Sequence, residues 1–321
     1  MAEGPQRYDV VVVGGGAAGL SAAATLGRSR RSVLVVDAGE PRNAPADGVH
    51  GFLSRDGVKP AELLADGRAD AARYGVEVRD GEAVDARRVA GGFEVTLAGA
   101  PGAPVRARRL VVTTGLVDEL PDVAGLRERW GRDVVHCPYC HGWEVRAQPI
   151  GVLGGHPRAL HVVQLFRQLS PDVVLFTNDG PPPSEAELEE LAARDVRVVP
   201  GAVVAVEVTD DHLSGVRLGD GTVVPRRALG VATRLVARSA LLDGLGLRAT
   251  PDPLGTGERI EADPSGRTAV DGVWVAGNVT NLMGQVVVAA AEGHLAGAVV
   301  NADLAAEDTR LAVEARRASA S

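Results

Sequence analysis

The sequence predicts an α/β protein built from two Rossmann-like units of the dinucleotide-binding type, and three observations carry that prediction. The first is a strand, glycine turn, helix, strand pattern near the start, "DVVVVGGGAAGLSAAATLGRSRRSVLVVDAG". The second is a copy of it, "PIGVLGGHPRALHVVQLFRQLSPDVVLFTNDG", at a constant offset of 140 residues. The third is length: 321 residues are enough for two domains with sizeable cores.

Composition narrows the function classes. The chain is 45% apolar and 24% charged, with a net charge of −8 and no basic block, which argues against nucleic acid as a partner. It contains no uninterrupted apolar window long enough to span a membrane. The early run "YDVVVV" has no basic n-region before it and ends in a glycine turn, so it reads as a buried strand rather than a signal peptide. A cytoplasmic protein is expected. Two cysteines in so long a chain do not form a secreted disulfide framework, and a close pair points to catalysis or metal binding.

In the first copy, residues 10–13 form the strand. Gly14 makes the tight turn, Gly16 lets backbone approach a pyrophosphate, and Gly19 lets helix and strand pack closely. The helix N-terminus then faces the phosphates. Asp37 ends the second strand, 18 residues after Gly19, where it would bind a ribose hydroxyl. The second copy is damaged. Gly154 and Gly155 match Gly14 and Gly15, but Gly16 is replaced by His156, followed by Pro157, and Gly19 by Ala159. A Cβ at the second glycine obstructs a pyrophosphate. Thr177 stands where Asp37 stood, and no Arg or Lys cluster follows for a 2′-phosphate. A retained scaffold is expected there rather than a working nicotinamide site.

Three further segments carry pattern. "ARRLVVTTGLVDELP" (107–121) reads as a strand ending at Thr114-Gly115, then a loop closed by Pro121. "DGVWVAGNVTNLMGQVVVAAAEGHLAGAVVN" (271–301) reads as a strand, a turn at Gly277-Asn278 and a helix starting near Gln285. From 306 onwards a frayed helix and tail are expected.

"HCPYCHGWE" (136–144) holds both cysteines, Cys137 and Cys140, flanked by His136 and His141. A zinc site needs four converging ligands. The two adjacent His–Cys neighbours cannot easily meet on one ion and no second Cys pair exists, so no metal is expected. A structural disulfide over so short a loop would constrain little of the unfolded chain. Redox work remains. Pro138 suits the first position of a helix whose N–H groups would stabilise a thiolate. Thiol exchange moves a proton near neutral pH, so His141 and His136 are acid/base candidates. Of ten aromatics, Trp130, Tyr139 and Trp143 fall around the Cys pair. They read as packing at a domain seam, as an apolar wall for a small heterocyclic dithiol, or as a groove for a protein partner.

Taken together, "GGGAAG", "TTG" at 113–115, "CPYC" and "AGNVT" resemble the low-molecular-weight thioredoxin reductase family of flavoproteins, over residues 7–305. The resemblance implies FAD on the first unit and an inserted second unit that carries the Cys pair. The implied layout is a discontinuous FAD domain, 1–117 and 238–321, around an NAD(P)-binding-like domain, 118–237. It implies a homodimer, and it places Ala17, Arg42, His50, Val84, Thr114, Gly115, Gly277, Asn278, Gln285 and Val286 with the glycines and Asp37 around FAD. The N-terminus near Gln285 would point at the flavin. Cys140 would face the flavin and Cys137 the substrate.

Two departures matter. Asn278 replaces the family's usual Asp, and can still hydrogen-bond the flavin nucleotide. The broken second fingerprint, together with His141 in place of the usual acid after the Cys pair, is more similar to the gliotoxin- and holomycin-type dithiol oxidases. Those close a disulfide in a small dithiol and pass electrons to O2. The expected function is therefore FAD-dependent oxidation of a small-molecule dithiol with O2 as acceptor. Two alternatives stay open: an NAD(P)H-dependent thioredoxin reductase serving a thioredoxin-like protein, and a non-turnover flavoprotein that sequesters a reactive dithiol.

Overall fold

A computed structural model describes residues 6–99 and 104–320. The chain opens with β1 (Arg7–Val13), α1 (Ala17–Arg28) and β2 (Val33–Asp37), and continues through α2 (Pro60–Ala72), β3 (Glu77–Asp80), β4 (Ala83–Val89), β5 (Gly92–Leu97) and β6 (Val105–Val112). Next come β7 (Leu116–Glu119), β8 (Val134–Val135), the single turn α3 (Pro138–His141), β9 (Ile150–Leu153), α4 (Ala159–Leu169), β10 (Val173–Phe176), α5 (Glu185–Ala192) and β11 (Arg197–Val199). Strands β12 (Val203–Thr209), β13 (His212–Leu218), β14 (Val223–Val224), β15 (Ala228–Val231) and β16 (Arg234–Ala237) follow. Last are β17 (Thr250–Pro251), β18 (Gly257–Arg259), β19 (Val273–Val275) and α6 (Val286–Ala318).

The first sheet has the order β3-β2-β1-β6-β5-β4, with β19 also pairing β6. Its β1, β2, β3, β6 and β19 are parallel. The run "VVVV" is continuous because both faces of β1 are covered: Val11 and Val13 enter one core with Leu34 and Val36, while Val10 and Val12 enter another with Val33 and Val35. The second sheet, β11-β10-β9-β15-β8, is entirely parallel. Its register repeats the first: Val10 faces Val33, and 140 residues on Ile150 faces Val173.

Two expectations need correction. The stretch after Thr114-Gly115 is not a loop. Leu116–Glu119 is strand β7, antiparallel to β16 in the sheet β17-β18-β16-β7, and Leu116 is buried with Leu235 and Leu282. The C-terminus is not a frayed tail either, because α6 runs unbroken for 33 residues to Ala318. Ion pairs anchor its middle: Arg31–Asp308 at 2.6 Å, Arg108–Glu307 at 2.8 Å and Arg109–Asp303 at 2.6 Å. Past Asp308 the helix is exposed and is carried by Ala, Glu and Arg, all good helix formers. Among the described residues, no helix is long and apolar enough to cross a membrane.

Candidate active site

One cavity of about 1290 Å³ is lined by the Gly14–Gly16 turn, Asp37, Thr113–Gly115, Gly277–Asn278, the head of α6 at Gln285–Val286, and the turn Cys137–His141. Glycine is required at most of its first edge. Gly14 has φ +107°, and a Cβ there would lie 2.5 Å from the Thr113 carbonyl oxygen. A Cβ on Gly19 would lie 1.8 Å from the Gly14 carbonyl oxygen. Gly15, which sequence reasoning passed over, is held just as tightly: its N–H donates to Asp37 Oδ1 at 3.0 Å, and a Cβ would meet that carboxylate at 2.6 Å. Gly16 differs, because a Cβ there would enter open space. It is the N-cap of α1, with no side-chain cap and no acid in the first turn, so the helix N–H groups are left for a ligand.

Asp37 and Arg42 line this cavity but also have protein partners. Asp37 pairs with Arg68, which bonds Asp80 at 2.9 Å as well. Arg42 makes a bidentate pair with Asp118 at 2.6 and 2.7 Å, and Thr233 Oγ1 donates to the same carboxylate at 2.7 Å. Burial pushes the Asp118 carboxyl up, but the Arg42 guanidinium outweighs it and holds the group below the usual carboxylate range. His50 lines the cavity, with Nε2 3.5 Å from Glu144 and Nδ1 3.4 Å from Asp56. Val84 does not line it: its side chain is 44% exposed on β4, and Gly81, Glu82 and Ala83 form that wall instead. The sequence offered no sign of Arg68, Asp118 or Thr233, since their roles depend on long-range pairing.

Cys137 is the N-cap of α3 and Pro138 its first residue. Both cysteines are free thiols. A hydrogen bond from Cys140 does most to bring the Cys137 thiol down to about 6, against its burial; the N–H groups of Tyr139 and Cys140 and the Gln285 side chain add to it. Cys140 is pushed up by that same bond and by burial. The pair thus shares one proton, with the negative charge on Cys137. Because α3 is a single turn, the effect comes from individual N–H groups and not from a long helix dipole. Gln285 Nε2 lies 4.0 Å from Cys140 Sγ, so the Cys pair sits directly against the head of α6.

Both flanking histidines are neutral at pH 7. Burial brings His136 down to about 4, with the Arg42 charge adding to it, and burial also lowers His141. Each has a buried ring nitrogen without a protein partner, Nδ1 of His136 and Nε2 of His141. As neutral rings they can accept a proton but do not store one. Trp130 lines the cavity 6.2 Å from the His136 ring, and Tyr139 lines it while 70% exposed. Trp143 is outside, 65% exposed, with the Arg146 guanidinium 3.9 Å from its ring.

The damaged second turn opens onto the same cavity. α4 begins at Ala159 with Arg158 as N-cap, two residues later than the repeat would place it, because His156 and Pro157 occupy the turn. His156, Arg158 and His161 line the cavity wall. In the alignment of the two copies His156 takes the place of Gly16 at the turn, whereas His161 takes that of Ser21, inside the helix.

Two Rossmann-like folds, with a Cys pair at the head of a helix of the first, define a flavin-linked thiol–disulfide oxidoreductase. The chain belongs to the pyridine nucleotide-disulphide oxidoreductase family, whose model matches residues 8–293. It is 45% identical to HlmI, whose crystal structure superposes with a TM-score of 0.91 over 100% of this chain and 99% of that one. An oxidoreductase from Agrobacterium tumefaciens is 36% identical, with a TM-score of 0.86 over 93% and 99% of the two chains. Thioredoxin reductase tcpT of Claviceps purpurea is 32% identical over 93% of this chain and 95% of its own.

FAD is the cofactor of this family. The residues fit it: the uncapped α1 head and the open space at Gly16 suit a pyrophosphate, and Asp37 borders the same cavity. The Gln285–Val286 end of α6 lines the same cavity as Cys137, Cys140, His136 and His141.

Proposed function

We propose that the protein oxidises a small-molecule dithiol to its intramolecular disulfide, with O2 as final acceptor and hydrogen peroxide as product. One juxtaposition supports this reading above the others. The Cys pair lies at the head of α6 in the cavity that holds the glycine turn, whereas the second nucleotide turn is filled by His156 and Pro157.

The chemistry of the pair follows from its charges. A substrate thiolate attacks Sγ of Cys137 in the Cys137–Cys140 disulfide, and Cys140 leaves as thiolate. The second substrate thiol loses its proton and attacks the substrate sulfur of the mixed disulfide, expelling Cys137 and releasing the cyclic disulfide. A thiol of low pKa leaves faster, so the sulfur lowered to about 6 is suited to the substrate-facing role. Of the two substrate protons, one is retained between the sulfurs, and the neutral ring of His141 or His136 can accept the other. Bound FAD supplies the two-electron relay from the pair to oxygen. Gln285 contacts the pair through Cys140 Sγ at 4.0 Å.

The test is stoichiometry. Purified yellow protein in air, given dithiothreitol and no NADPH, should form one hydrogen peroxide per dithiol consumed. Dithiol loss without peroxide would remove oxygen as acceptor. The second reading, a thioredoxin reductase, draws on the name of tcpT and on exposed Tyr139 and Trp143, which a protein partner could cover. It requires NADPH as electron donor.

A further inference from the structure

We propose that Arg158 is the specificity element of the substrate cavity, binding an sp2 oxygen acceptor (a carboxylate or an amide carbonyl) carried by the dithiol. The proposal rests on the reading that this cavity accepts a small dithiol. Arg158 is unusual among the cavity's arginines. Arg42 is matched by Asp118 and Arg238 by Glu40, but among the described residues no carboxylate lies within ion-pair distance of Arg158. Its Nη1 instead meets Met283 Sδ at 2.9 Å. A thioether is a weak acceptor, whereas a guanidinium is always charged and carries five donors in a fork shaped for paired oxygens.

Its position suits a substrate held by Cys137. Met283 is two residues before Gln285, whose amide is 4.0 Å from Cys140 Sγ. The Arg158 charge is felt at His136, next to Cys137 in the chain. The Arg158 backbone N–H donates to His156 Nδ1 at 3.1 Å, so Nε2 carries the ring proton and gives a second donor on the same wall. Val162 and Leu165 of α4 add an apolar strip along that wall. The turn that fails as a nucleotide site therefore presents donors beside an apolar surface, the composition of a small-molecule pocket.

The experiment compares kcat/KM of the holoenzyme for dihydrolipoate, dihydrolipoamide and dithiothreitol, which has no sp2 oxygen. Wild type should prefer the first two. Arg158→Met, and independently Arg158→Gln, should reduce that preference about tenfold or more, mainly through KM, with FAD content and melting temperature checking the fold. Equal loss for acid and amide assigns a carbonyl-type acceptor, and loss confined to the acid assigns a carboxylate. A preference unchanged in both variants, or absent from wild type, overturns the proposal. Failure of wild type to oxidise any of the three overturns the dithiol reading itself, which is a separate result.

Discussion

In the proposed mechanism the sulfur that leaves the mixed disulfide, Cys137, is also the one whose thiol is lowered. With Cys137 lowered to about 6, the thiolate is present above that pH and is lost as pH falls through it. In reduced enzyme, iodoacetamide should therefore alkylate Cys137 before Cys140, with a rate that falls below a midpoint near 6. A midpoint near 9, or Cys140 modified first, would reverse the charge assignment; peptide mass mapping against pH reads both. The glycines give a second residue-level contrast. Gly16 has φ −77° and open space around its missing Cβ, so Gly16→Val should fold with normal circular dichroism and yet be colourless. Gly19→Val would drive a side chain into the Gly14 carbonyl and should fail to accumulate as soluble protein. A yellow Gly16→Val variant with normal FAD content would move the pyrophosphate elsewhere.

Helices α1 and α6 cross where Gly293 and Gly297 meet Ala18 and Ala22, and this crossing sets the spacing between the phosphate end and the thiol end of the cavity. A Cβ on Gly293 would lie 1.9 Å from the Ala18 carbonyl oxygen, and one on Gly297 would lie 2.7 Å from that of Ala22. Gly293→Ala should cost about 1–3 kcal/mol through overpacking and lower the melting temperature by several degrees. An unchanged melt would mean the crossing is slack. The sequence displayed the strands and the Rossmann turns because β1 and β2 are continuous apolar runs and Gly14, Gly16 and Gly19 fall between strand and helix. The 140-residue repeat returned in the strand register itself. Strand β7 escaped because four residues before a proline show no period, and its partner β16 lies more than a hundred residues away. The length of α6 escaped because its last turns bury nothing and depend on Ala-rich propensity. Of the site, the Cys pair and its histidines were legible as a motif. Their neutral state was not, since it comes from burial, joined at His136 by the Arg42 charge, and neither was the outward turn of Trp143.

Several ties hold the second unit on the first: the Arg42–Asp118–Thr233 cluster, His50 with Glu144 at 3.5 Å, Arg158 with Met283 at 2.9 Å, and Gly131 packed against Pro45. They place the Cys pair at the head of α6, on the wall of the cavity that holds the glycine turn. The same arrangement puts the second nucleotide turn on the cavity wall in a form that departs from the first copy. The positive φ that belongs to Gly14 in the first copy occurs at Gly155 in the second, α4 starts late, and Thr177 offers no carboxylate to a ribose. Phosphate binding at such a turn needs backbone N–H groups with no Cβ in the way, and His156 and Pro157 remove that access, Pro157 by lacking an N–H altogether. NADPH at roughly millimolar concentration, the top of the usual KM range, should therefore bleach the flavin slowly or not at all in anaerobic stopped flow. Dithiothreitol should bleach it within the time of one turnover. Rapid bleaching by NADPH would show that the damaged turn still seats a nicotinamide, and the thioredoxin reductase reading would then replace the dithiol oxidase.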